Sequence, residues 1–418
     1  MKILLIAYYY PPINSGGTAR PFKMAKYLPD FGHEVTVLTH SYKADDFDTP
    51  GTIRIKDISH NKDRGTFWKR VQWTGLRLGT EALNIAGIYH SIYSWWKRRV
   101  FRNARRIMEL VKPDIIIATY PPVETLEIGL YFSRTFNIPL LTDFRDGLLF
   151  EPIESKRMDR YPCIRRKYAA IEKDAGSESV AITSIAEPIT RYYRETYEPE
   201  QCLSIYSGYD PDDFENLPEL QLDGDAFNIV FTGRFGLSDK AIRVDYFIEA
   251  VRRVLSEDET LKKRLKIHLV GEYKSEEFAS IQDLIDSRVF VMHGFVDKPR
   301  ALAFQRAADL LLTITQPERS SATSTKIFEY LYAGKPVFAL THETVLGDIV
   351  ETTGSGWVVH PHRSEEIAAL LKRIVTDQAF YRSLEPDREK IEGYSVKSQL
   401  KELHRLLETI KNGNNNEA

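Results

Sequence analysis

The alternation of apolar runs and helical spacing along this chain predicts an α/β fold built from two doubly wound parallel sheets. Three observations carry the prediction. Lys2–Tyr9 is nearly continuously apolar, as a strand covered on both faces must be. Short apolar runs then alternate with stretches of helical period as far as Tyr206. After a stretch rich in Asp, Glu, Pro and Gly at Pro211–Ala226, the same rhythm begins again. A length of 418 residues also asks for more than one domain.

In the first half, Pro11, Pro12, Gly16 and Gly17 form a loop ahead of a helix over Thr18–Leu28. Strands follow at Glu34–Leu38, Asp114–Ala118, Leu140–Asp143, Ser179–Thr183 and Leu203–Tyr206. The second half reads as strand Asn228–Thr232, helix Val244–Leu255, strand Lys266–Val270, helix Glu276–Ile285 and strand Val289–Met292. Helix Pro299–Ala307, strand Leu310–Thr313, helix Lys326–Tyr332, strands Pro336–Ala339 and Gly356–Val359, and helix Ser364–Val375 complete it. The expected organisation is a first domain over 1–210, a linker over 211–226 and a second domain over 227–395. A last helix over 396–410 could return to the first domain, and the polar tail 411–418 is expected to be disordered. Ligands of open α/β sheets bind beyond the carboxyl ends of the strands, so two facing sheets would place a small-molecule site in a cleft.

Composition narrows the function classes. Hydrophobic residues at 43% and charged residues at 28% suit a soluble globular enzyme, and a net charge of −2 lacks the basic excess of a nucleic-acid binder. Two cysteines, Cys163 and Cys202, exclude a disulfide framework or zinc ribbon and fit a reducing compartment. The apolar run Ile3–Ala7 is too short for a signal-peptide core, and no apolar stretch reaches bilayer length. The expected location is cytoplasmic, at most peripheral on the inner face of the membrane.

Four segments carry candidate chemistry. Gly16 and Gly17, in Asn14–Arg20, let a ligand approach the backbone at a helix N-terminus; the pattern is not GxGxxG, which argues against a dinucleotide cofactor. Asp143, Arg145 and Asp146 end a strand and could bind hydroxyls or steady a developing charge, or form an internal pair shaping the loop. Arg234, with Lys240 close behind, suits a diphosphate. The hydroxyl-rich run Ser320–Thr325 opens a helix that carries Lys326 and Glu329 on one face, a cation for phosphate and a carboxylate for ribose hydroxyls. His268 and His293 read as structural, and His360 and His362 lack the carboxylate spacing of a metal site, so no metal is expected. The segment Lys62–Arg106 interleaves Trp68, Trp73, Trp95 and Trp96 with basic residues against only Asp63 and Glu81, which points to contact with anionic lipid or to a covered helical pair.

These motifs together resemble glycosyltransferase family 4. The likeness rests on Gly16-Gly17, on Ser207-Gly208-Tyr209-Asp210, and on Lys326-Ile327-Phe328-Glu329-Tyr330 with Ala333-Gly334-Lys335-Pro336-Val337. Asp143-Phe144-Arg145-Asp146 is similar to a variant motif of one branch. The resemblance implies a retaining GT-B enzyme that uses a nucleotide sugar, UDP-linked by default, as substrate and no cofactor. It places Glu329 on the donor ribose and Arg234 and Lys240 on the diphosphate, with Ser324, Thr325 and Lys326 assisting. It places Phe295 and Val296 at the base, Gly16 and Gly17 at donor and acceptor, and Arg20 and Asp143 on the acceptor side. The implied acceptor is a glycan or a lipid-linked glycan in surface polysaccharide synthesis. Ser321 stands where the family often has Glu, eight residues before Glu329. Two alternatives share the fold: a sugar-nucleotide 2-epimerase, and a catalytically silent partner that binds a nucleotide sugar.

Overall fold

The computed structural model describes every residue except 14–15, 58–66, 236–242, 274–277, 279–280, 318 and 418, together with the side chains of 67–70, 72 and 414–417. The chain divides into two compact units, Met1–Tyr206 with Leu400–Ala418, and Ser207–Gln399.

The first unit runs β1 (Lys2–Ile6), α1 (Ala19–Tyr27), β2 (Glu34–Ser41), β3 (Thr52–Lys56), α2 (Phe67–Ile85), α3 (Ser94–Arg102), α4 (Ala104–Val111), β4 (Ile115–Tyr120) and α5 (Val123–Phe136). It continues with β5 (Leu140–Phe144), α6 (Ser155–Arg160), α7 (Pro162–Glu178), β6 (Ala181–Ser184), α8 (Glu187–Tyr197) and β7 (Cys202–Ser204). Its seven strands are all parallel in the order β3-β2-β1-β4-β5-β6-β7. Every residue of β4 is buried, which explains why the run Ile-Ile-Ile shows no alternation of period two. The order reverses between β1 and β4, so the loops that follow these strands flank the topological switch point. β3 and the helices α5–α8 have no counterpart among the expected elements, whereas α2 and α3 lie in Lys62–Arg106, where a covered helical pair is one of the two readings.

The second unit runs β8 (Phe227–Thr232), α9 (Asp245–Glu257), α10 (Leu261–Arg264), β9 (Leu265–Val270), α11 (Gln282–Asp286), β10 (Phe290–Gly294), α12 (Lys298–Ala307), β11 (Leu310–Ile314) and α13 (Thr325–Ala333). β12 (Val337–Leu340), α14 (Val345–Thr352), β13 (Gly356–Val359), α15 (Ser364–Thr376), α16 (Gln378–Arg382) and α17 (Arg388–Gly393) complete it. Its six parallel strands lie in the order β10-β9-β8-β11-β12-β13, which puts the switch point between β8 and β11. One apolar core joins Phe247, Val251 and Val254 of α9 to Ile267 and Leu269 of β9 and to Leu371 of α15.

Two expectations need correction. The segment Pro211–Ala226 is not wholly irregular: Pro211–Phe214 forms a 3₁₀ turn, capped by the Asp210 carboxylate accepting from Asp212 N. The tail expected to be disordered continues the last helix, α18 (Val396–Glu417). No proline interrupts it, and the weak helix formers Asn412, Gly413 and Asn414–Asn416 each cost about 1 kcal/mol or less.

The Ser207–Asp210 motif is a backbone strap. Tyr209 N donates to Tyr394 O at 3.1 Å and Val396 N donates to Tyr209 O at 2.8 Å, while the Tyr209 ring stacks on Tyr332 at 4.6 Å. Gly208 has a φ of 64°, and a Cβ there would press on Tyr394 O and Val396 N. The family-like motif is thus structural, placed where the chain enters and leaves the second unit.

Candidate functional site

In the second unit the predicted residues converge at the ends of β8 and β10 and at the start of α13. Ser324 is the N-cap of α13, its side chain accepting from Lys326 N at 3.2 Å. This spends one hydroxyl on capping and leaves the first turn of a helix N-terminus facing outward, with Thr325 exposed. Lys326 reaches back toward β8: its ammonium lies 5.8 Å from the Phe231 ring centroid and fills the space that a Cβ on Gly233 would need. Burial pulls the Lys326 pKa down, opposed by the neighbouring Glu329 carboxylate. Gly233 has a φ of 118°, and Gly271 packs its backbone against the Gly233 carbonyl, so two glycines let the ends of β8 and β9 touch.

Glu329 is oriented by a residue that sequence reasoning missed. Gln305 Nε2 donates to Glu329 Oε2 at 3.1 Å and to Thr232 Oγ1 at 3.2 Å. Tyr330, fully buried, accepts from Thr232 N at 3.2 Å and donates to Leu312 O at 3.3 Å, which pins α13 across β8 and β11. The available signal for Gln305 was a polar side chain within the buried run Leu302–Gln305 of α12. Two buried polar atoms beside this network, Thr323 Oγ1 and Gln305 Oε1, have no hydrogen-bond partner among the described residues.

Arg234, Gly294 and Phe295 line one cavity of about 460 Å³ with Glu272 and Tyr273. Phe295 is 71% exposed and Val296 half-buried. The backbone turns at Gly294 with a φ of 70°, so the cavity rim is main chain and an open aromatic face. Lys240 lies outside the described residues, as does Glu318. Ser321 is buried, and its loop is held by Val345 N donating to Ser320 O at 3.0 Å and Leu346 N donating to Ala322 O at 3.2 Å. His268 is structural: it bridges Asn228 and His293 at 3.0 Å each, and burial, then the charge of His293, pushes it down to about 4.

In the first unit the predicted residues divide. Arg20 and Asp143 form a buried bidentate pair, Nη2 to Oδ1 at 2.6 Å and Nε to Oδ2 at 2.9 Å. Thr119 and Thr183 also donate to the Asp143 carboxylate, at 2.8 and 2.7 Å, and Arg20 donates to Ile205 O at 2.5 Å. Asp143 is wholly buried and its carboxylate is taken up by Arg20, Thr119 and Thr183, so the pair ties α1 to the ends of β4, β5 and β6. The internal pair allowed for in this segment therefore exists, but with Arg20 as the cation. Arg145 points elsewhere: it donates to Tyr120 O at 3.3 Å and Pro121 O at 3.1 Å, with its guanidinium 2.5 Å from the place a Cβ on Gly17 would take. Gly17 and Arg145 therefore meet at the switch point, between the loops after β1, β4 and β5. Gly16 has open space around it, and Asp146 is half-buried beside Arg145.

A second cavity in this unit, about 480 Å³, lies against Tyr120, Pro121 and Pro122 at the end of β4 and extends to Trp73 and Arg77 of α2 and Arg160 of α6. Of the tryptophans expected to form a lipid-facing surface, Trp96 is fully buried and Trp73 and Trp95 are half-buried, while the Trp68 side chain lies outside the described residues. Among the described residues one group has the spacing to hold a metal ion, His33, His404 and Glu408, away from both loop clusters in sequence. Its two imidazoles are hydrogen-bonded to each other at 3.0 Å. Among the described residues no helix is long and apolar enough to cross a membrane.

Residues 226–377 match the family model described as Glycosyl transferases group 1. The matched segment contains the whole second-unit cluster, from Thr232 to Tyr330. Solved structures extend the likeness to the whole chain. Sucrose-phosphate synthase from Thermosynechococcus elongatus superposes with a TM-score of 0.65 at 15% identity, over 98% of this chain and 99% of that one. HepE of Anabaena in complex with UDP gives 0.63 at 14%, over 98% and 100%. The α,α-trehalose 6-phosphate synthase of Burkholderia multivorans gives 0.64 at 10%, over 99% of both. No curated protein sequence matches the chain significantly. The fold is GT-B, with two parallel-sheet, Rossmann-like units, and the segment that matches the group 1 glycosyl transferase model lies in the second unit.

Proposed function

We propose that the chain is a glycosyltransferase that moves a sugar, with retention, from a nucleotide diphosphate donor to a hydroxyl of a glycan or lipid-linked acceptor in surface polysaccharide synthesis. The observation that carries this reading is the placing of Lys326 against Gly233, next to Arg234, with Glu329 one turn further along α13 and oriented by Gln305. A cation at a helix N-terminus and a fixed carboxylate one turn away match a phosphate and a ribose. Solved structures of the same fold hold UDP, and uridine is the default nucleoside here.

The reaction requires negative charge to build on the departing diphosphate. Arg234, Lys240 and the start of α13 with Ser324, Thr325 and Lys326 stabilise that charge, and they need no metal to do so. A donor phosphate oxygen takes the acceptor proton in a front-face displacement. Gly294–Val296 packs on the base, with Phe295 as the open aromatic face. In the first unit, Gly16 and Gly17 admit the substrate close to the main chain. Arg145 and Asp146 orient hydroxyls, and the Arg20–Asp143 pair holds the sheet end beneath them. The epimerase alternative would need carboxylates and histidines as acid and base; His268 and His293 are tied to each other and to Asn228 and do not serve it.

The test is thermal-shift binding of UDP, GDP and ADP with and without their common sugars. One nucleotide stabilises the protein, and the effect is lost in Arg234→Ala and Glu329→Ala. No stabilisation by any of them at millimolar concentration sinks the donor-site assignment. Donor binding without transfer to any acceptor favours the silent-partner alternative.

A further inference from the structure

The last helix returns to the first unit and brings three ligating side chains together there. α18 is held in that unit by Leu403, Leu406, Leu407 and Ile410, all buried. His404 and Glu408 stand four residues apart, so both lie on one face of this helix. His33 comes from the other end of the chain. It follows the 3₁₀ turn Leu28–Phe31, which Gly32 closes at a φ of 83°, and it immediately precedes β2. His33 Nε2 lies 3.0 Å from His404 Nδ1, and a ligating atom from each of His33, His404 and Glu408 falls within 4.8 Å of the other two. Phe31 stacks on the His404 ring, with 5.1 Å between centroids and 17° between planes, which fixes the direction of its nitrogens.

A hydrogen bond between the imidazoles uses one nitrogen as donor and one as acceptor and leaves the carboxylate no part. Two imidazole nitrogens and a carboxylate oxygen converging on one point are also a zinc donor set, with water in the fourth place of a tetrahedron. Bonds of about 2.0–2.2 Å put the ligand atoms of such a site about 3.3–3.6 Å apart. The two nitrogens need to part by only a few tenths of an ångström, and rotation of the half-buried Glu408 side chain brings in the third ligand. Lys411 stands 3.9 Å from Glu408 Oε2, beyond hydrogen-bond reach, so it does not hold the carboxylate in place. His33 is 4% exposed, and burial, then the charge of the Met1 amine, keeps it in the neutral form that a metal requires. Zinc on Nε2 leaves the ring proton on Nδ1, which faces the Met1 nitrogen at 3.5 Å; that amine accepts it when neutral.

The position says what such an ion does. β1 and β2 pair with Lys2 opposite Glu34, so Met1 and His33 mark the amino ends of these strands. Ligands of a parallel sheet bind beyond the carboxyl ends, at the other edge. An ion here is structural. We propose that His33, His404 and Glu408 bind a zinc ion that staples α18 to the amino end of the first sheet. Local spacing gives no sign of the complete set, because the two histidines stand 371 residues apart.

The test uses the full chain, freed of metal with EDTA and dialysed, then titrated with zinc chloride or magnesium chloride by calorimetry and followed in thermal unfolding. The expected result is one zinc per chain and no response to magnesium. The melting temperature is expected to rise by about 5 °C or more once zinc exceeds its Kd a hundredfold. E408Q, at a half-buried position where the fold tolerates the change, is expected to weaken zinc binding at least tenfold, and H404Q to weaken it further. Absence of zinc binding at about 100 µM overturns the proposal and leaves a plain hydrogen-bonded histidine pair. Zinc binding that both variants leave intact overturns it too, because the ion then sits elsewhere on the chain. Equal binding of magnesium does the same, since a site with two imidazole ligands discriminates against that ion.

Discussion

The Lys326 ammonium occupies the space that a Cβ on Gly233 would need, although the two residues belong to different elements, α13 and the loop after β8. Gly233→Ala should therefore displace the ammonium, because the lysine tip is the part able to move. A φ of 118° at this position adds strain of about 1–3 kcal/mol for a residue with a Cβ. The expected outcome is UDP affinity reduced about tenfold by calorimetry, with a modest loss of stability in urea unfolding. Unchanged affinity would show that the lysine position does not matter to the donor.

Gln305 holds Glu329 without belonging to any recognised motif. Gln305→Leu keeps the volume and removes the donor to Glu329 Oε2 and Thr232 Oγ1. The donor KM is expected to rise severalfold while kcat stays within about twofold, the signature of lost ground-state binding. Glu329→Ala combined with Gln305→Leu should add little to Glu329→Ala alone, since the glutamine acts through the carboxylate.

The Arg20–Asp143 pair predicts an acid limb in stability. Burial alone would raise the Asp143 pKa, but the Arg20 charge and the hydrogen bonds from Arg20, Thr183 and Thr119 outweigh it and hold it below the usual carboxylate range. A depressed folded pKa adds stability that is complete above the unfolded value near pH 4 and is lost as pH falls through the folded one. Asp143→Asn leaves Arg20 buried without its counter-charge and should destabilise by about 3–5 kcal/mol at neutral pH. Its urea-unfolding midpoint should also vary less than the wild type's below pH 4.

Glu124 predicts the opposite slope. Burial, reinforced by the Glu127 charge, pushes it up to about 7. A carboxyl whose folded pKa exceeds its unfolded value near 4.3 favours the fold while protonated, so that contribution is full below about pH 4 and lost as pH rises to about 7. Glu124→Gln keeps an acceptor for Ser91 and Tyr89 and carries no charge. It should be more stable than the wild type at pH 8, by on the order of 3 kcal/mol at most, and close to it at pH 5. A wild-type stability that is flat between pH 5 and 8 would refute this.

Much of the second-unit cluster is legible in the sequence. Ser324, Lys326 and Glu329 are local in sequence, and a capped helix fixes their relative directions through its period. Their partners were not legible. Asp143 finds Arg20 at a sequence separation of 123, through the pairing of β1 with β4 and β4 with β5. Gln305 reaches Glu329 only because α12 and α13 pack together beside β8 and β11. The tryptophan-rich segment was noticed for its composition, yet Trp96 is core and the exposed apolar residues of α2 are aliphatic.

Apolar period and N-cap chemistry act over a few residues, so the two sheets, the strand-end loops and the capped α13 are readable from local runs alone. Which cation meets which carboxylate, which glycine faces Arg145 and which side of α2 is exposed are set by the packed fold. Those relations depend on strand order and on packing between elements far apart in the chain, and local periodicity carries no information about either.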